Sequence, residues 1–269
     1  MRLVDSHAHL QAEAFAADSG QVIAVARAAG VARLLVPGWD VASSVAAVAL
    51  AKGHRLDAAA GIHPHVASGA DDEAWAQVVG LADGPTVVAV GETGLDYDRG
   101  FSPRVAQLVS LRRHLLLGRA LGKPVILHCR SAPGTRDAHD DVLRELAAAG
   151  AGTPDWPTRG GRPPALLHSF SGPLEYAERA LAMGLAVSFS GLVFRAGEGA
   201  SAQVARLVPV DRLLVETDAP YLSPPGAPRR RNEPAWVAVT LRWLAEQRGE
   251  EPDALGEQLV AGYDRIFGG

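Results

Sequence analysis

"KPVILHCR", residues 123–130, runs apolar through Val125, Ile126 and Leu127 and then turns polar at its carboxyl end. Strand side chains alternate between faces, so these three need apolar neighbours on both sides. That is the pattern of a parallel strand covered by helices on each face. Seven further runs share it: "RLVDSHAHL" (2–10), "VARLLVPGWD" (31–40), "LDAAAGIHPH" (56–65), "PTVVAVGETGLDY" (85–97), "PALLHSFSG" (164–172), "LAVSFSGLVF" (185–194) and "DRLLVETDAPY" (211–221). Segments of helical period separate them, as in 102–121 and 138–149, where apolar residues fall three and four apart. Eight βα units in 269 residues predict a (β/α)8 TIM barrel filling residues 1–269 as one domain.

Composition narrows the function. Hydrophobic residues make up 48% and charged residues 21%, which is globular, and the net charge of −4 offers no overall field for a duplex. Contact with nucleic acid must therefore be local. Cys129 is the single cysteine, so no internal disulfide forms. The first residues carry no basic-then-apolar leader, and no apolar run approaches the ~20 residues of a membrane span. The expectation is a cytoplasmic protein without membrane contact or an obligate protein partner.

The polar residues keep to the carboxyl ends of the apolar runs: His7 and His9, His63 and His65, Glu92, His128, His168, Asp218. In a barrel these ends converge on the face where active sites form. In the extended "DSHAHL" stretch, His7 and His9 point the same way and could close on one ion. A solvated turn would explain one such pair, but not six of the nine histidines at strand ends. Imidazole with carboxylate suits zinc, manganese or iron, and magnesium stays open. His7, His9, Glu92, His128, His168 and Asp218 are too many donors for one tetrahedral ion. They suffice for two divalent ions sharing a bridging carboxylate, a pair that stabilises phosphoryl displacement, and Glu92 sits mid-set.

"DSHAHL", "GIHPH", "GETGLDY", "HCR", "HSFSG", "ETDAPYL" and "RNEP" occur in the order found in the TatD family of metal-dependent deoxyribonucleases, and from Asp5 to Phe267 the chain resembles that family. The resemblance implies a two-metal phosphodiesterase (Zn, Mg or Mn) that shortens single-stranded or frayed DNA, or RNA, from the 3′ end. It implies that His7, His9 and Asp218 hold one metal, that His128 and His168 hold the other, and that Glu92 bridges. Asp218 would also accept the proton of the attacking water. His63 would face the substrate phosphate, with His65 and Arg130 as further substrate contacts, and Asp96 and Glu216 would orient ligands. For Arg130 a structural ion pair explains the residue as well as a phosphate fork does.

The sequence departs from the family pattern in four places. Ser169 replaces a usual cysteine, and the irregular Gly- and Pro-rich loop 149–164 is long. It precedes the sixth strand, so it is expected on the face opposite the metals. "GAPRRR" shifts the arginines before "NEP", and Arg195 stands where lysine is common. Arg195, Arg230 and Arg231, with Arg99, Arg104 and Arg229, would line the metal-side loops as a basic rim, unless "RRR" is an ordinary solvated loop. Trp39 and Tyr97 offer flat faces for a base, and packing at strand ends would use them equally well.

Two other classes compete with the nuclease. A barrel esterase or amidase, such as a D-aminoacyl-tRNA deacylase, could use the same donors. The lysines argue against lysine-bridged amidohydrolases, because Lys52 and Lys123 are the only two and neither ends a strand. A non-catalytic binding barrel would be expected to have lost ligands, and none of the six is missing.

Overall fold

The computed structural model describes residues 1–154, 156 and 159–268. Eight strands follow the eight apolar runs: β1 Leu3–Asp5, β2 Val31–Pro37, β3 Asp57–Ala60, β4 Val87–Asp96, β5 Val125–Arg130, β6 Ala165–Leu167, β7 Ala186–Phe189 and β8 Leu213–Val215. Each pairs in parallel with the next, in sequence order. The ring closes between the first and last strands, where Ser6 N donates to Val215 O at 3.1 Å and Ala8 bridges Ala219 in parallel. This is the expected (β/α)8 barrel.

Among the described residues the outer layer holds α1 Ser19–Ala28, α2 Val41–His54, α3 Asp72–Asp83, α4 Arg104–Leu121, α5 Asp137–Ala148, α6 Leu174–Ala182, α7 Ser201–Leu207, α8 Val237–Arg248 and α9 Pro252–Phe267. Val125, Ile126 and Leu127 are fully buried, as a strand packed on both faces requires. α2 starts on a capping box, in which Asp40 accepts from Ser43 N at 2.7 Å and Ser43 Oγ accepts from Asp40 N at 2.9 Å. The box fixes the loop after β2 that carries Trp39, whose N–H also donates to Ser43 Oγ at 2.8 Å.

Glycines let the strand ends bearing polar residues approach. At Gly94 (φ +136°), a Cβ would lie 1.9 Å from His128 O, so β4 and β5 could not pair there. At Gly61 a Cβ would stand 2.5 Å from Gly91 Cα, holding the end of β3 against the residue before Glu92.

Residues 155, 157 and 158 of the 149–164 loop lie outside the described residues. The described part meets 182–184 and 211–212, which precede β7 and β8. That is the amino-terminal end of the barrel, opposite the strand ends that carry the histidines. Trp156 in this loop is buried.

Candidate metal centre

The carboxyl ends of the eight strands open into one cleft of about 1190 Å³, and six of them supply His9, His63, His65, Glu92, His128, His168 and Asp218 to its lining. Glu92, buried at its floor, is shared between two donor groups. Its Oε2 lies 3.2 Å from His7 Nε2 and 3.7 Å from His9 Nε2, and Asp218 Oδ1 stands 3.8 and 3.6 Å from the same two nitrogens. Its Oε1 lies 2.9 Å from His168 Nε2, 3.4 Å from His128 Nδ1 and 3.3 Å from His63 Nε2.

These spacings suit cations. Donors ~2.1 Å from a tetrahedral ion stand ~3.4 Å apart, so both groups need little movement to close on one. His7 Nε2 and His9 Nε2 face each other at 3.2 Å, a contact that two lone pairs would resist unless a proton or cation sits between them.

The outer nitrogens decide which inner ones carry lone pairs. His9 Nδ1 faces Pro37 O at 3.2 Å, His168 Nδ1 faces Glu216 Oε1 at 3.1 Å, and His128 Nε2 faces Asp96 Oδ2 at 3.3 Å. Each partner is an acceptor, which assigns the ring proton outward and leaves the inner nitrogen free to ligate. His63 is the reverse. Its Nδ1 accepts from His65 N at 3.2 Å, so the neutral ring carries its proton on Nε2 and offers a donor rather than a ligand. Burial pulls the His63 imidazole down to about 4, which keeps it neutral. His7 has no partner on Nδ1 among the described residues and is oriented instead by stacking on His168, with ring centres 4.0 Å apart.

Charge reinforces the arrangement. Burial alone would raise the Glu92 carboxyl, but His168, His63 and His7 hold it well below its ordinary value. Burial would lower His168, yet Glu92 and Glu216 push it well above. Glu216 is itself fixed by Ser188 Oγ (2.5 Å) and Ser6 Oγ (3.2 Å). Asp96 accepts from His65 Nε2 at 2.8 Å and from Asp98 N and Arg99 N. His63, His65 and His128 also stand together, but Asp96 already occupies the His65 and His128 nitrogens on that side.

Asp5 of "DSHAHL" joins neither group. Burial pushes its carboxyl up to about 8, against bonds from Thr217 Oγ1 (2.6 Å), Thr217 N (2.9 Å) and His7 N (3.3 Å). Asn232 of "RNEP" donates to Thr217 O (3.0 Å) and Tyr221 O (2.8 Å). These two residues brace the turn that holds Asp218 at φ +56°, a conformation a non-glycine residue keeps only under constraint.

The structure thus brings together His7, His9, Glu92, His128, His168 and Asp218, with His63, His65 and Arg130 on the same cleft. Of the other arginines expected on the rim it brings only Arg99. Arg231 is taken by Asp18 (2.9 Å) and Glu233 (2.7 Å) and lies over the Phe15 ring, while Arg195 and Arg230 are exposed outside the cleft lining. Among the described residues the arginines that line the cleft are Arg99 and Arg130, Arg130 with Nε 2.7 Å from Asp98. Tyr97 is also withdrawn: its hydroxyl donates to Asp141 and Arg104 covers its ring. Two aromatics went unassigned in the sequence, Phe101 and Tyr221. The signal for Phe101 was a lone aromatic in the Gly-Phe-Ser-Pro loop that directly follows a barrel strand.

A family profile described as TatD related DNase matches residues 4–268. A 3'-5' ssDNA/RNA exonuclease TatD of Erwinia billingiae is 39% identical, covering 98% of both chains. Its counterpart in Cronobacter sakazakii is 37% identical over 98% of this chain and 97% of that one. Among solved structures, a TatD homologue of Escherichia coli K12 superposes with a TM-score of 0.84 at 28% identity, covering 99% of this chain and 98% of the other.

Proposed function

Because the chain belongs to the TatD-related DNase family, we propose that it is a cytoplasmic, two-metal 3′–5′ exonuclease acting on single-stranded or frayed DNA, and on RNA, within one barrel domain. The carrying observation is that the two oxygens of Glu92 face two separate donor groups. His7, His9 and Asp218 would hold one divalent cation, His128 and His168 the second, and Glu92 both. When bound, the pair supplies Lewis-acid polarisation of a phosphoryl oxygen and acidifies an attacking water.

The chain's own groups supply the rest. Asp218, on the cleft wall, would take the proton from the water. His63 Nε2–H is a fixed neutral donor for a non-bridging phosphate oxygen or the leaving group. Asp96 and Glu216 keep His128 and His168 in the ligating tautomer.

The test is hydrolysis of single-stranded oligonucleotides labelled at either end, by protein reconstituted with Zn, Mn or Mg. Stepwise shortening from the 3′ end is expected. Rapid turnover of simple lactones or amides, with the oligonucleotide untouched, would overturn the proposal in favour of the esterase reading.

A further inference from the structure

Phe101, in the loop between β4 and α4, is 65% exposed, and Tyr221, after β8, is 59% exposed. Both line the cleft that holds the donor groups, and they flank different parts of it. Phe101 meets the His65 ring edge to face, with centres 4.7 Å apart, beside His63 and His128. Tyr221 meets the His9 ring at 6.2 Å, beside the other donor group. Each touches a histidine of the site and leaves most of its ring to solvent. The cleft is poor in free positive charge: among the described residues its arginines are Arg99 and the Asp98-paired Arg130. Phosphate contacts alone would hold a single strand weakly there, and a flat apolar face is the complementary means.

We propose that Phe101 and Tyr221 are base-stacking platforms on either side of the metal centre, which take the unpaired bases flanking the scissile phosphodiester. The assignment rests on the nuclease reading. It also gives that reading a physical source for strand selection: bases in a duplex are already stacked and paired, so only an unpaired or frayed end gains from these rings. Any base has a π-face, so the platforms carry no sequence preference. Tyr221 is held in place by Asn232 Nδ2 on its carbonyl and by its own N–H on Asp218 O (2.8 Å), which couples base seating to the turn of the proposed proton acceptor.

The experiment uses the metal-loaded protein and oligonucleotides with 2-aminopurine, a base whose fluorescence is quenched on stacking, at the last or the penultimate 3′ position. A parallel set carries an abasic residue there. For the parent protein, quenching on binding and a preference for the normal over the abasic end are expected. Phe101→Ala and Tyr221→Ala should each remove quenching at one position, raise KM about tenfold or more, and shrink that preference toward one. Phe101→Trp should restore both. Phe101→Leu separates a platform from a prop for His65, since it keeps an apolar contact without a flat face. Rescue by Leu, or quenching undiminished in the Ala variants, overturns the proposal while the nuclease reading stands. A parent protein that shortens no oligonucleotide overturns both. An Ala variant that changes only self-association would identify the Phe101 surface as a protein contact, which also overturns it.

Discussion

Glu92 shows how much one side chain decides. Its carboxylate sets one oxygen against each donor set, and under the proposed function its charge would offset two dications. Glu92→Gln keeps the volume and the fold but should reduce metal content to one ion or fewer per chain and take activity with it. Asp218→Asn should behave differently, because in the proposed function it would weaken one terminal ligand while removing the proton acceptor; turnover should fall further than metal content. Metal analysis, circular dichroism and oligonucleotide hydrolysis on both variants test this. Two retained metals and near-normal rates in Glu92→Gln would remove the bridge. The same scale separates look-alike histidines: His63 and His128 stand 3.3 and 3.4 Å from Glu92 Oε1, yet the group facing each ring's far nitrogen gives one an inward N–H and leaves the other an inward lone pair.

At the level of elements, loops and helices hold these side chains in register. Asn232→Ala leaves Thr217 O and Tyr221 O without a partner in a buried turn, which should cost about 2 kcal/mol of stability. Below the melting transition it should lower kcat on the order of tenfold to a hundredfold, because Asp218 loses its fixed position. A variant with normal turnover would show that Asp5 and Thr217 suffice. α4 is tied to the β3 loop through His114, which accepts from Ile62 N at 3.0 Å and donates Nδ1–H to Ser110 O at 2.7 Å. Burial pulls His114 down to about 4, so the folded state binds fewer protons than the unfolded one between pH 6.5 and 4. Its contribution is therefore complete above pH 6.5 and is lost as pH falls to about 4, on the order of 3 kcal/mol. Urea unfolding at pH 7 and pH 4.5 should show a smaller pH loss for His114→Gln than for the parent, and equal losses would refute the assignment.

Over the whole molecule, the acidic net charge and the withdrawal of Arg231 limit how electrostatic the substrate contact is. With Arg99 and Arg130 as the cleft arginines, log KM for a single strand should rise with log salt at a slope of about 1 to 1.5, far below that of a strongly basic nuclease. Arg99→Ala should flatten that slope while Arg230→Ala leaves it unchanged, and the opposite pattern would return "RRR" to the substrate path. No helix among the described residues is long and apolar enough to cross a membrane. The 149–164 loop packs Trp156 at the amino-terminal end of the barrel, so its described part serves the scaffold rather than the cleft.

The sequence alone determined the eight strands, because an apolar run ending in a polar residue reports both burial on two faces and which end carries chemistry. It also supplied the metal-donor candidates, since imidazoles gathered at strand ends are chemically legible without coordinates. It could not decide which arginines face the cleft: Arg231 finds Asp18, 213 residues earlier, and only the closed ring makes them neighbours. Nor could it show which atom faces each ring nitrogen of His63 and His128, or that Asp5 braces the turn of Asp218. Those roles follow from which atom lies opposite each ring nitrogen or carboxyl oxygen, and strands distant in sequence supply most of those atoms.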